Sequence, residues 1–353
     1  MLRFYGRHAA QPIPVAPVTV AVPPRTCSGT RRVQWYECRV DSHAAAPSSP
    51  GTYLPGFRHA VHTFGTRTVD FDRQVALMAV INRTPDSFYD GGATFALQAA
   101  VDASLKAVDD GADWVDIGGA PFSPGEPIPA AEEADRIVPV ISAVRAVSEV
   151  IISADTFLPE VARQALAAGA NVVNDTTGLR DPDMAAVVAE AGAHLVITHS
   201  LAAPRTVYPR PTYDDVVREV AEFLVRRVDD AVRLGIGEDR ILVDPGHDLN
   251  KNTLHSLEIT RRFAEIAGLG FPTLAAVSNK DFIGETLDRP KRERVEGSLA
   301  AAVICILGGA RVLRMHNVAA SRAAIDLTEA VLGWREPLHL RHNMGDYNEP
   351  AAP

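Results

Sequence analysis

The residues of this chain best suited to chemistry stand where apolar runs break off. Asn82 closes the run Leu77–Ile81, and Asp116 comes just ahead of Gly118-Gly119. Asp155 ends Ile151-Ile152-Ser153-Ala154, Asn174-Asp175 ends a short Val-Val segment, and Asp244 precedes Pro245-Gly246. Further on, Lys280 follows Ala276-Val277-Ser278-Asn279, and Arg314 and His316 flank Met315. Aspartate is a poor strand residue and is rarely buried without a partner, so each of these positions needs a reason. Carboxylates and a carboxamide brought to one place make an acceptor-rich pocket. An ionised carboxylate there can accept two N–H groups of a flat heterocycle at once. Arg314 and His316 alternate along an extended chain and so project to one side. A guanidinium fork beside an imidazole suits a diphosphate, aided by the amino end of a following helix.

Positioning these groups requires a scaffold that brings distant strand ends together. Strand-like runs fall at 76–82, 113–118, 149–155, 171–175, 193–199, 240–244, 271–277 and 311–315. Amphipathic helical patterns lie between them, among them Phe95–Val108, Glu132–Ser148, Pro159–Ala168, Asp214–Leu234 and Glu296–Leu307. Gly-Ala pairs at 111–112, 169–170, 192–193 and 309–310 lead into several runs, and glycine there suits the left-handed end of the preceding helix. Eight βα units in about 270 residues match the count and size of a (β/α)8 TIM barrel. A doubly wound open sheet is the competitor, but its usual Gly-rich dinucleotide turn is missing after the first strand. Right-handed crossovers then place all eight strand carboxyl ends on one rim. The expected organisation is a disordered Pro/Arg-rich N-terminal extension over 1–65, a barrel over 66–335 and a tail over 336–353.

Composition narrows the class. The 353 residues are 46% hydrophobic and 22% charged, as in a soluble globular protein. A formal net charge of −9 argues against a nucleic-acid binder. No apolar stretch approaches the ~20 residues needed to span a membrane. Cys27, Cys38 and Cys305 form no C-x-x-C pair, so neither a disulfide framework nor a zinc site is indicated, and the cytoplasm is the expected setting. In the extension, prolines at 12, 14, 17, 23, 24, 47, 50 and 55 interrupt any periodic pattern. Arg3, Arg7, Arg25, Arg31, Arg32 and Arg39 outweigh Glu37 and Asp41. Such a segment holds too little packable apolar surface to offset its ordering entropy. An Arg-rich, acid-poor start also suits a transit peptide, but the prolines spoil the amphipathic helix one needs. A disordered tail, or a start codon placed too far upstream, is the expectation.

The polar loop after the first run carries a resemblance. Asn82-Arg83-Thr84-Pro85-Asp86-Ser87-Phe88-Tyr89-Asp90-Gly91-Gly92 is similar to the first signature of dihydropteroate synthases. Those enzymes condense a pterin bearing a diphosphate leaving group with p-aminobenzoate on the way to folate. The resemblance covers about 66–335 and continues in Ser278-Asn279-Lys280-Asp281-Phe282-Ile283-Gly284, like Ser-Arg-Lys-x-x-Ile-Gly, and in Arg314-Met315-His316-Asn317-Val318, like Arg-Val-His-Asp-Val. It implies that Asp155, Asn174, Asp244 and Lys280 bind the pterin and that Asp116 lies near the metal and diphosphate. It further implies that Asn82, Arg314 and His316 bind the diphosphate and that Asn82 ligates Mg²⁺. The implied catalytic set is Asp116, Asp155, Asp244, Lys280, Arg314 and His316. Catalysis would be electrostatic: the departing diphosphate and the positive charge growing on the pterin methylene are stabilised while the amine attacks, with no covalent enzyme nucleophile. Implied partners are a pterin diphosphate, p-aminobenzoate or a related amine, and a second copy of the chain in a homodimer. His199 stands where the family usually has His-Met, while His194, His247 and His255 are expected to be core or solvated histidines.

The p-aminobenzoate side departs from the pattern. Where the family has Glu-Ser-Thr-Arg-Pro-Gly, this chain has Ala120-Pro121-Phe122-Ser123-Pro124-Gly125, and Asn279 replaces the arginine after Ser278. His247-Asp248-Leu249-Asn250-Lys251 replaces an aromatic Gly-Phe-Gly-Lys run, so Leu249 gives a flat ring thinner cover. Losing two cations near developing charge costs powers of ten in rate. The pattern resembles the divergent second copies of this enzyme in some actinobacteria. The leading expectation is a dihydropteroate synthase-like transferase. The alternative is a catalytically weak or inactive pterin-binding paralogue with an altered p-aminobenzoate site. A methyltetrahydrofolate–corrinoid methyltransferase is a further rival, disfavoured because that reaction has no diphosphate for Arg314 and His316 to hold.

Overall fold

Buried β-branched runs and the helices between them set the architecture. The computed structural model describes residues 52–82, 93–208 and 210–342, the side chains of 93–96 excepted. Most of the expected extension, residues 83–92 of the first signature and the end of the tail therefore lie outside the described residues. A hairpin, β1 (Val61–Phe64) and β2 (Arg67–Asp70), leads into β3 (Ala76–Asn82), α1 (Ala93–Asp109), β4 (Trp114–Gly118), α2 (Ala130–Arg145) and β5 (Ile151–Asp155). There follow α3 (Pro159–Ala167), β6 (Val172–Asp175), α4 (Asp183–Ala191), β7 (His194–Thr198), α5 (Val216–Arg233) and β8 (Ile241–Asp244). The chain then forms α6 (Thr253–Arg261), α7 (Phe263–Ala267), β9 (Leu274–Ala275), α8 (Asp281–Leu287), α9 (Val295–Leu307), β10 (Val312–Met315) and α10 (Val318–Val331).

Strands β3 to β10 form one parallel sheet in the order β8-β7-β6-β5-β4-β3-β10-β9. A bridge between Val243 and Thr273, with the Val243 N–H donating to the Pro272 carbonyl at 3.1 Å, brings its two edges together. The result is a nearly closed (β/α)8 barrel, as the spacing of runs implies. β9 is much shorter than the expected 271–277, in part because Pro272 has no N–H for a ladder. The glycines of the four Gly-Ala pairs all have positive φ, from +62° to +109°, as helix ends of this kind require. Among the described residues, no helix is long and apolar enough to cross a membrane.

Alternation along the strands divides the core in two. Outward residues such as Leu77, Val115, Ile152, Val173, Leu195 and Leu313 pack with Ile137, Ile141, Met184, Leu224 and Ile325 of the helices. Inward residues Met78, Trp114, Ile151, Val172, Val196, Leu242, Leu274 and Val312 fill the barrel, together with Phe64, Val69 and Phe71 from the hairpin segment. The hairpin thus plugs the amino-terminal end, and buried Arg311 fastens it by donating from Nε to the Phe71 carbonyl at 2.8 Å. The described stretch before residue 66 bonds to the rest of the fold. Tyr53 N–H donates to the Leu307 carbonyl at 2.7 Å, and Val61 pairs with Asp70. His62 and Phe64 alternate before Gly65, Val69 and Phe71 after it, which is the sequence pattern of a tight hairpin. Cys305 is buried and unpaired; Cys27 and Cys38 lie outside the described residues.

Candidate active site

Two residues beyond the apolar layer, the same inward faces turn polar. Trp114 is succeeded by Asp116, Ile151 by Ser153 and then Asp155, Val172 by Asn174, Val196 by Thr198, Leu242 by Asp244, and Val312 by Arg314. Strand pleating keeps each pair on one face, so six of the eight strands turn polar at the carboxyl end of the barrel, whereas Met78 and Leu274 are followed by apolar Val80 and Ala276. A cavity of about 340 Å³ opens there, its wall including Asn82, Asp155, Asn174, Asp244, Lys280 and Arg314. Six residues expected to share a site, scattered over 230 positions of sequence, therefore share one wall.

Beneath the cavity lies a buried network. Asp116 is 0% exposed. Its Oδ2 accepts from Arg314 Nε at 2.6 Å and from Asn174 Nδ2 at 3.1 Å, and its Oδ1 accepts from Ser153 Oγ. Ser153 Oγ in turn accepts from Trp114 Nε1 at 2.8 Å. Asp116 is thus not in the cavity wall; it holds Arg314 and Asn174 in place from below. Arg314 Nη2 donates to Asp155 Oδ2 at 2.7 Å, so only one edge of the guanidinium is left for a ligand. Burial opposes the Arg314 charge, but Asp116 and Asp155 outweigh it and hold its pKa above the ordinary arginine value. Burial, opposed by Arg314 and aided by the Asp116 charge, pushes the Asp155 carboxyl up to about 7. Burial also raises the Asp244 pKa, against a hydrogen bond from Gly246 N–H to its Oδ1 at 2.7 Å and the charge of Lys280. Gly246 has no substitute here: at φ +68°, a Cβ would lie 2.3 Å from the His199 carbonyl oxygen.

Some wall atoms lack partners. Asn174 Oδ1, Thr198 Oγ1 and His247 Nδ1 are buried with no hydrogen bond among the described residues, and all three residues line the cavity. An unsatisfied buried polar atom costs about 1–3 kcal/mol, so their clustering marks a place for a ligand with complementary groups.

A second chamber of about 350 Å³ adjoins the first and shares Ala276, Lys280, Lys291 and Arg314 with it. Its wall adds Ser123, Ser278, Asn279 and His316. Ser278 Oγ accepts from the His316 N–H at 3.1 Å and lies 3.0 Å from His316 Nδ1. Asn279 is left-handed, φ +57°, a conformation asparagine adopts more readily than arginine. Arg294 Nη1 donates to the Asn279 carbonyl at 3.0 Å and to Asp281 Oδ1 at 2.8 Å, fixing this turn. Phe122 lines the first chamber rather than the second. Its loop is fastened by Arg205, which donates from Nη1 to the Ser123 carbonyl at 2.8 Å and from Nε to the Glu126 carbonyl at 3.0 Å. A cation does approach the altered loop, but its donors are used on backbone carbonyls.

Four residues at or beside the site escape a reading by strand ends: Arg205, Lys251 and Arg294, which hold loops in place, and Lys291, which lines both chambers. Lys251 is 7% exposed, and its Nζ donates to His199 Nδ1 at 2.8 Å and to the carbonyls of Gly246 and Leu249 at 2.9 and 3.0 Å. Burial lowers its pKa to about 7. It stands at the end of the altered His247–Lys251 run, the one signal for it in the sequence. Of the histidines, His194 packs on Phe64 at 4.1 Å in the plugged end, His255 caps α6 through Asn252, and His199 holds Lys251. His247 is a core histidine as expected, stacked near Phe263 and Phe282, yet it also lines the cavity.

The fold and site define a barrel enzyme class with an acceptor-rich, cation-flanked cleft at the strand carboxyl ends. The family model described as pterin binding enzyme matches residues 78–316. A Mycobacterium leprae protein named inactive dihydropteroate synthase 2 is 44% identical over 277 residues, 77% of this chain and 95% of that protein. Escherichia coli dihydropteroate synthase is 36% identical over 261 residues, covering 74% and 93%. The structure of the Xanthomonas albilineans synthase in complex with 7,8-dihydropteroate superposes with a TM-score of 0.70 at 39% identity, covering 77% of this chain and 98% of that one. The chain belongs to the dihydropteroate synthase family of pterin-binding enzymes.

Proposed function

We propose that this protein is a dihydropteroate synthase-type transferase. It takes 6-hydroxymethyl-7,8-dihydropterin diphosphate in the first chamber, joins it to p-aminobenzoate or a related amine from the second, and releases diphosphate. The observation that carries this reading is the meeting of Asp155, Asn174, Asp244 and Lys280 in one cavity with Asn82 and Arg314. The pyrimidine edge of a pterin offers adjacent N–H donors. Asp244 has committed Oδ1 to Gly246, leaving Oδ2 for such a donor, and Asn174 Oδ1 has no partner. A site so built rejects ligands lacking those donors, because its own carboxylate would be left unpaired. Asp155 and Asp244 stabilise positive charge growing on the pterin methylene. The free edge of Arg314 and His316 face the departing diphosphate.

A magnesium ion held largely by phosphate and water needs only one or two protein oxygens. Asn82, a neutral oxygen donor in the same wall as Arg314, would hold it, and the ion supplies neutralisation of diphosphate charge. The proposed assembly is a homodimer, supported by exposed Ile304 on α9 and by Leu327 and Val331, an i,i+4 pair on α10. The proposed setting is the cytoplasm.

The test is a coupled assay of diphosphate release from purified protein, pterin diphosphate, Mg²⁺ and p-aminobenzoate. A second reading, a paralogue that binds pterin without turnover, is favoured by Asn279 in place of arginine and by the name of the M. leprae relative. Turnover eliminates it; pterin binding with no diphosphate released overturns the transferase reading instead.

A further inference from the structure

We propose that Lys291 is the cation that stands in for the missing arginines, holding a phosphoryl group of the diphosphate at the doorway between the two chambers. This rests on the pterin diphosphate reading above. Four residues belong to both chambers: Ala276, Lys280, Lys291 and Arg314. Ala276 is apolar, and Arg314 is committed on two nitrogens to Asp116 and Asp155. Lys280 lies in the field of Asp248 and Asp244. Lys291 makes no hydrogen bond or ion pair among the described residues, so its charge is uncommitted. It also lies close enough to His316 to bear on the imidazole's charge, which places it on the side of the doorway where the diphosphate is proposed to leave.

The backbone that carries Lys291 is fixed. It opens the short turn Lys291–Glu293, in which Glu293 N–H donates to the Pro290 carbonyl at 2.9 Å. Arg294 follows immediately and donates from Nε to the Arg289 carbonyl at 3.0 Å, while its Nη1 reaches the carbonyls of Asn279 and Lys280 at 3.0 and 3.1 Å. The same side chain thus ties the Lys291 turn to the loop after β9 that makes the second chamber. Lysine is a point charge on a flexible stem, suited to phosphate from a distance that a carboxylate-bound arginine cannot span. Because Lys291 is exposed, its contribution is modest and screened by salt.

Isothermal titration of the full-length protein tests this with three probes: inorganic diphosphate with Mg²⁺, 6-hydroxymethylpterin lacking the diphosphate, and 4-aminobenzoate. Lys291→Ala should weaken diphosphate binding about tenfold at low salt, with the loss shrinking at high salt. Lys291→Arg should restore it, and Arg292→Ala, whose guanidinium lies beside Glu293, should leave it unchanged. Binding of the bare pterin should be the same in all four proteins. Unchanged diphosphate affinity in Lys291→Ala, or a loss confined to 4-aminobenzoate, overturns the proposal. If the wild type binds no bare pterin, the underlying pterin reading fails, while the diphosphate arm still decides the role of Lys291.

Discussion

The two chambers share a wall but differ in how they are built. The first draws its polar groups from strand ends, where pleating and a buried network under Asp116 fix each direction. The second draws Ser123, Ser278, Asn279 and Lys291 from loops and short turns. Strand positions cannot change without disturbing the barrel core directly beneath them. Loop positions can, and it is there that the chain departs from the family pattern. The strand-borne polar contacts are thus tied to fold stability, whereas the loop-borne cover of both chambers, Phe122 and Leu249 in the first and Asn279 in the second, is not.

Breaking the first chamber should have the largest effect. Asp244→Ala removes the charge-assisted partner of the pterin edge and should weaken pterin binding at least about a hundredfold by calorimetry; a loss within threefold means the pocket is elsewhere. Next comes Lys251→Met, which strips a buried donor from His199, Gly246 and Leu249. It should cost about 2–3 kcal/mol in denaturant unfolding and loosen the loop behind Asp244. Unchanged stability would show that this loop needs no such tether.

Protonation sharpens the contrast further. An unfolded chain loses the Asp155 proton near 3.8, whereas the fold retains it to about 7. Between those values the folded protein binds the extra proton, so this group's contribution to stability falls as pH rises. A ligand that donates to the ionised carboxylate shows the opposite trend. Its affinity should climb by up to about tenfold per pH unit below 7 and level off above, with proton release on binding. A flat profile from pH 5.5 to 7.5 would remove Asp155 from pterin recognition. A smaller effect is expected from the other chamber. Asn279→Arg should raise diphosphate release severalfold, at about 1 kcal/mol of strain for a left-handed arginine; no gain would mean that chamber is not what limits turnover. Smallest of all, His255→Ala should leave pterin affinity within about twofold and lower stability only by its share of the α6 cap, a few tenths to 1 kcal/mol.

Much of this was legible in the chain itself. Strand and helix periods are local properties, and a polar residue in step with the inward positions of its strand keeps that direction, as Asn174 does and its neighbour Asp175 does not. That is why Asn82, Asp155, Asn174, Asp244 and Arg314 are legible in the sequence as members of one rim, while Lys280, two residues beyond Ser278, is legible through its motif. The hairpin at 61–70 was less visible, because four-residue strands carry little periodicity and Phe64, Val69 and Phe71 find their cover only against Trp114 and its neighbours. Tertiary structure alone decided that Asp116 lies under the cavity, that two carboxylates occupy Arg314, and that Arg205, Lys251, Lys291 and Arg294 converge on the site. Those outcomes depend on long side chains meeting groups tens to hundreds of residues away, and only closure of the barrel sets those distances.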